Sequence, residues 1–146
     1  MTIISTTSDL DLTKFNSSDV TFDSELPGVP EEKLLKYSHK WYVGSHQGCS
    51  CGFRHLMAAN FPDLGFSAPE EWFQENKEDI DATLKLVKIF KGIIISGEKL
   101  ECIDAWAHDP SAEPFLEGNV VVNLNEIPET SFRLIENYHH EFICNT

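Results

Sequence analysis

Residues 67–106 read SAPEEWFQENKEDIDATLKLVKIFKGIIISGEKLECIDAW, and their periodicity changes part-way along. Ser67-Ala68-Pro69-Glu70 matches a capping box, with Ser67 as N-cap, Glu70 three positions on and acids filling the first turn. Phe73, Ile80, Leu84, Val87 and Ile94 then recur at helical spacing and predict one buried stripe. Lys85, Lys88 and Lys91 favour the C-terminal end. Gly92 and Gly97 compete as the stop, because Ile93-Ile94-Ile95 is β-branched and equally suits the start of a strand. From Leu100 the period is two. Leu100 to Trp106, Asn119 to Leu124 and Phe132 to Ile143 read as strands, with turns at Asp109-Pro110, Pro114 and Pro128. In the last of them Phe132, Leu134, Tyr138, Phe142 and Cys144 share one face. Successive strands joined by short turns predict a C-terminal antiparallel meander. With the helix ahead of it, the class is α+β: one long helix and short helices on a small, mainly antiparallel sheet.

Upstream the signals are shorter. Residues 1–24 are rich in Ser, Thr and Asp, which suits a flexible N-terminal arm or an edge element and leaves 25–146 as a single α+β domain. Pro27-Gly28-Val29-Pro30 marks a turn, and Glu31-Glu32 open a short helical turn. Trp41-Tyr42-Val43 is β-prone and halts at Gly44, while Phe53 to Ala59 read as a short helix ending before Pro62.

A chain of 146 residues buries roughly two-thirds of the surface it exposes when unfolded. Ten phenylalanines and three tryptophans supply a packed core and argue against disorder. Met1 to Leu10 carry no basic region and no apolar run, so they lack a secretory pattern, and no apolar run approaches a membrane span. The expectation is a cytoplasmic protein whose four cysteines are free thiols or metal ligands.

The net charge of −13 is spread widely: only His39 to Pro69 escapes it, with Lys40 and Arg54 against Asp63. Such a surface repels phosphates, so nucleic acid is disfavoured as a partner, and it steers a basic protein instead. The plainer reading is that the charge only keeps the chain soluble. The docking candidates are Glu71, Glu75, Glu78 and Asp79, near the start of the long helix; reversal of Glu71, Glu75 and Glu78 to lysine is expected to spare the fold. The function this suggests is binding rather than turnover: a small inhibitor, of the immunity-protein type, covering a nuclease-like toxin.

The chemically dense stretch is Ser45-His46-Gln47-Gly48-Cys49-Ser50-Cys51-Gly52-Phe53-Arg54-His55. His46, Cys49, Cys51 and His55 spell H-x2-C-x-C-x3-H, four candidate ligands of the kind suited to tetrahedral zinc, although C-x-C is tighter than usual zinc loops. A metal-binding or cysteine-dependent protein centred here is the alternative function, with zinc as the sole cofactor candidate. Used as a nucleophile, Cys49 or Cys51 would need a base and an orienter from His108-Asp109 or from His139 and His140. Used structurally, the two glycines make a tight turn, Cys49 and Cys51 can join in a reducible disulfide, and Arg54 bridges acidic elements. His139 and His140 must point to opposite faces of their strand. Asp104, Trp106 and His108 share a strand face that lines a pocket or meets solvent.

Overall fold

Thr2-Ile3-Ile4-Ser5-Thr6 is an unbroken run of β-branched residues and serine, and it forms β1 (Thr2–Thr6), buried along its whole length. The computed structural model describes residues 1–61, 65–66, 75–106, 109 and 111–145. β1 lies between β3 (His39–Ser45) and β5 (Leu100–Asp104), antiparallel to both, with Ile3 facing Tyr42 on one side and Ile103 on the other. β2 (Val20–Asp23) pairs outside β3. The first 24 residues therefore supply a central strand and an edge strand of the sheet, not a flexible arm. A run that covers both faces needs no polar alternation, and this is why the usual signal was missing.

The six-stranded sheet has the order β2-β3-β1-β5-β8-β6, where β6 is Gly118–Asn123 and β8 is Tyr138–Ile143. With one long helix and short 3-10 turns packed on this mainly antiparallel sheet, the class is α+β. The C-terminal meander is not what forms. β6 lies parallel to β8, Val120 opposite His140, and the chain leaves the sheet between them. On the way, β7 (Leu134–Ile135) pairs in parallel with β4 (His55–Leu56). The expected single strand from Phe132 to Ile143 is broken at Glu136-Asn137, where Asn137 takes a φ of 59° and its N–H binds the Asp104 carbonyl at 2.7 Å. Phe132 and Phe142 still meet, with ring centroids 5.7 Å apart, but across the fold and not along one strand.

The helix, α1 (Lys77–Ile95), is capped by Asn76, whose side chain accepts the Glu78 N–H at 2.9 Å. Ser67, Glu70 and Phe73, the expected cap, box and first stripe residue, lie outside the described residues. The helix runs through Gly92. It ends in a Schellman turn in which Gly97, at φ +99°, donates to the Ile94 carbonyl and Glu98 to that of Ile93. The buried face also differs from the expected one. Ala82, Thr83, Leu86, Val87, Ile89, Phe90 and Ile93 are buried, whereas Ile80, Leu84 and Ile94 sit at its margins. Apolar residues occupy two adjacent helical registers here, and contact with Phe142 (5.0 Å from Phe90) and the sheet selects between them.

β3 does not halt at Gly44. A Cβ there would lie 2.6 Å from Thr21 Oγ1, so the glycine lets β2 and β3 close together up to Ser45. Phe53 to Ala59 likewise form no continuous helix: β4 is followed by a 3-10 turn at Ala58–Asn60.

Candidate functional site

β3 ends at Ser45, and that serine organises the loop after it. Its N–H and its hydroxyl both donate to the Cys49 carbonyl, at 2.7 and 2.6 Å, and its Oγ accepts the Gly52 N–H at 3.0 Å. Ser50 is the second brace. It donates to the Val43 carbonyl at 2.6 Å and accepts the Thr2 N–H at 2.8 Å, tying the loop to β3 and β1. Gly52 packs so close that a Cβ would collide with Ser45 Oγ and the His46 ring. Neither serine stood out in the sequence, since a buried hydroxyl of this kind has no spacing signature.

Cys49 and Cys51 are joined in a disulfide, with Cα atoms 5.4 Å apart. They are thus neither free thiols nor thiolate ligands here. Chain-entropy reasoning gives a ring this small only about 1.5 kcal/mol, against about 3 kcal/mol for a fifteen-residue loop, so the bridge is a weak staple. Cys51 is exposed and Cys49 half-buried, while Cys102 is fully buried; burial, with Asp104 and Glu101 nearby, pushes its thiol well above the usual range.

The two histidines of the cluster part company. His46 turns to the helix, its Nε2 2.7 Å from Asp79 Oδ1. His55 turns the other way: Nδ1 donates to the Phe53 carbonyl at 2.8 Å and Nε2 lies 3.5 Å from Asp104 Oδ2. Burial opposes its charged form, but the Asp104 carboxylate, the Phe53 carbonyl and Glu136 outweigh that and raise its pKa. Among the described residues, no three histidine, cysteine or acidic side chains are placed to share a metal ion.

What the loop does build is one wall of a cavity of about 610 Å³, where β1 begins and β3 and β5 end. Its lining includes Tyr42, Cys49, Cys51, His55, Asp104, Trp106 and Glu136. Asp104 is held by Thr2 Oγ1 at 3.1 Å, and Trp106 is 56% exposed at the mouth. Asp104 and Trp106 both line this pocket, but not as one strand face: β5 ends at Asp104 and the intervening Ala105 lines the pocket too. His108 lies outside the described residues. A second cavity, bordered by Asp23, Glu25, Leu26 and Pro27, adjoins it through Met1 and Tyr42.

The acids proposed from sequence as a docking face are distributed differently. Glu71 lies outside the described residues. Glu75 takes a bidentate pair from Arg54, Nε and Nη2 at 2.8 and 2.9 Å, with Arg133 at 4.0 Å, and Asp79 faces His46. Glu78 is exposed. Arg54 also donates to the carbonyls of Thr130 and Phe132, so it ties the helix start to the segment before β7.

His139 and His140 do point to opposite faces. His139 meets the buried Glu101 at 2.6 Å, where the Ser5 hydroxyl and the Lys36 N–H also converge. Burial works against that carboxylate, but these three donors leave its pKa below the usual value. His140 packs in the core against Phe132 and Phe142.

Comparison with protein-family models, curated proteins and solved structures finds no match to this chain. No helix among the described residues is long and apolar enough to cross a membrane.

Proposed function

We propose that this is a small acidic binding protein of the cytoplasm that covers a basic partner protein. An inhibitor of the immunity type, neutralising a nuclease-like toxin, is the concrete form, since a nuclease-like toxin needs a basic cleft to hold its phosphate-bearing substrate. The observation that carries the reading is the cavity beside the cysteine loop. It offers aromatic walls at Tyr42 and Trp106 and a carboxylate at Glu136, beside an Asp104 that Thr2, His55 and the Met1 ammonium already face, in a chain of net charge −13. A partner's arginine or lysine fits that lining by cation–π contact and charge pairing. The exposed acids Asp23 and Glu25 extend the same negative rim. Proposed docking thus moves from the helix start, where Glu75 and Asp79 already have internal partners, to this end of the sheet.

Long-range attraction between exposed charges is screened beyond roughly 8 Å at physiological salt, so the effect should appear in association rates. With the partner recovered from the native host, the double variant Glu25→Lys, Glu136→Lys is expected to associate about tenfold more slowly at low salt, with a flattened salt dependence. Its melting temperature should stay close to that of the parent. Recovery of only acidic partners, or association indifferent to both salt and the double reversal, would overturn the reading.

A further inference from the structure

We propose that the Cys49–Cys51 pair is a reversible thiol–disulfide exchange site, reached through the cavity and selective for a thiol borne on a cationic carrier. The proposal requires no docked protein and stands apart from the reading above. Three observations carry it.

The first is access. Cys51 is exposed and both sulfur-bearing residues line the cavity, whereas Cys102 is 0% exposed. A cavity of about 610 Å³ is ample for a small thiol.

The second is that the loop does not depend on its bridge. Ser45 and Ser50 hold it by hydrogen bonds to the Cys49 and Val43 carbonyls and from the Gly52 and Thr2 N–H groups. Opening a bridge that spans two positions leaves these bonds in place, so the site can cycle without unfolding.

The third is charge. Asp104 and Glu136 face the same space as the bridge; Asp104 is met by the Met1 ammonium at 3.9 Å and by His55 at 3.5 Å, so Glu136 and the chain's net charge of −13 set the sign of the field there, and a negative field concentrates cations. An anionic thiol is disfavoured there and a cationic one drawn in.

The step balances as ordinary exchange. An incoming thiolate attacks Sγ of Cys51; the S–S bond breaks and its electron pair leaves on Cys49 as a thiolate, giving a mixed disulfide at Cys51. A second thiolate attacks the carrier's sulfur in that mixed disulfide and releases Cys51 as a thiolate. Two carrier thiols are oxidised to one disulfide, the bridge is reduced to two thiols, and the two carrier protons end on Cys49 and Cys51.

The test uses purified protein and three probes: cysteamine (cationic), 2-mercaptoethanol (neutral) and glutathione (anionic). Reduction is followed by acid quench, alkylation and mass, with rates expressed per thiolate. The expected result is two labels per chain, at Cys49 and Cys51, beyond those that the free Cys102 and Cys144 take in the unreduced protein, with the melting curve retained. Cysteamine should react at least tenfold faster than glutathione at low salt, and the gap should shrink as salt rises. Given oxidised cysteamine, the disulfide of the probe, Cys49→Ser should take one cysteamine as a mixed disulfide at Cys51 and release the other as a thiolate, while Cys51→Ser should react in the same way at Cys49 at least tenfold more slowly. A pair that stays as two thiols in excess oxidised cysteamine overturns the proposal. So does a bridge that resists reduction until the protein is unfolded. Equal rates for cysteamine and glutathione overturn the carrier selectivity.

Discussion

Arg54→Ala is expected to lower the melting temperature by about 10 °C, corresponding to roughly 3–5 kcal/mol lost when one partner of a buried ion pair is removed. Arg54 is 3% exposed, and its guanidinium donates to both oxygens of Glu75 and to the carbonyls of Thr130 and Phe132. Truncation leaves a largely buried carboxylate with Arg133 as its remaining cationic partner among the described residues, and strips two carbonyls of a donor. Arg54→Lys should recover less than half of the loss, because an ammonium cannot reproduce the fork. Glu75→Lys should destabilise for the same reason. This reverses the expectation, drawn from spacing alone, that reversing Glu71, Glu75 and Glu78 would spare the fold. Thermal and denaturant melts of the three single variants check these outcomes; a shift below about 3 °C for Arg54→Ala would contradict the cross-link's role.

Acidification provides the second large effect. His140 is fully buried: its Nε2 accepts the Ile135 N–H at 3.0 Å, and its Nδ1 lies 3.2 Å from the Cys102 carbonyl, to which it donates. Burial lowers its pKa to about 4, so it is neutral in the folded protein at neutral pH. The unfolded chain, with an imidazole near pKa 6.5, binds the extra proton first as pH falls. Stability from His140 is thus intact above about pH 6.5 and is lost progressively down to about pH 4, by on the order of 3 kcal/mol. His55 acts in the opposite sense. Its raised pKa gives stability that is present below about 6.5 and lost as pH rises through the folded value, which offsets part of the slope. The lowered Glu101 pKa gives stability that holds above the ordinary carboxylate range and fails only as pH falls below it. Denaturant midpoints between pH 7 and pH 4.5 should therefore fall steadily, and His140→Gln, which retains a donor and an acceptor, should flatten that fall. An unchanged slope in the variant would place the acid sensitivity elsewhere.

The α+β class was legible because apolar residues recur at helical spacing along α1 and that spacing stops at Gly97, before β5. The errors cluster where a local pattern meets a non-local partner. β1 lacked alternation because both its faces are covered, and β6 looked like part of a meander because a parallel pairing leaves no mark in either strand. The break at Asn137 depends on a hydrogen bond to Asp104, thirty-three positions away. The site followed the same rule. The cysteine loop was visible as composition, and a bridge between Cys49 and Cys51 was one option for it. The separation of His46 from His55 was not visible, since it is decided by Asp79 on the helix and Asp104 at the end of β5. Glu75 and Asp79 looked solvated at helical spacing, but only tertiary structure shows which carboxylates a buried arginine and a nearby histidine claim.

Whether the aromatic and acidic cavity receives a basic side chain can be read from a heteronuclear NMR titration with an end-blocked arginine. The account predicts saturable shifts at millimolar ligand, confined to Trp106, Tyr42, His55 and their neighbours, weakened by added salt and by Glu136→Lys. Shifts centred instead on Glu78 and Asp81 of the helix, or none at the cavity, would contradict it.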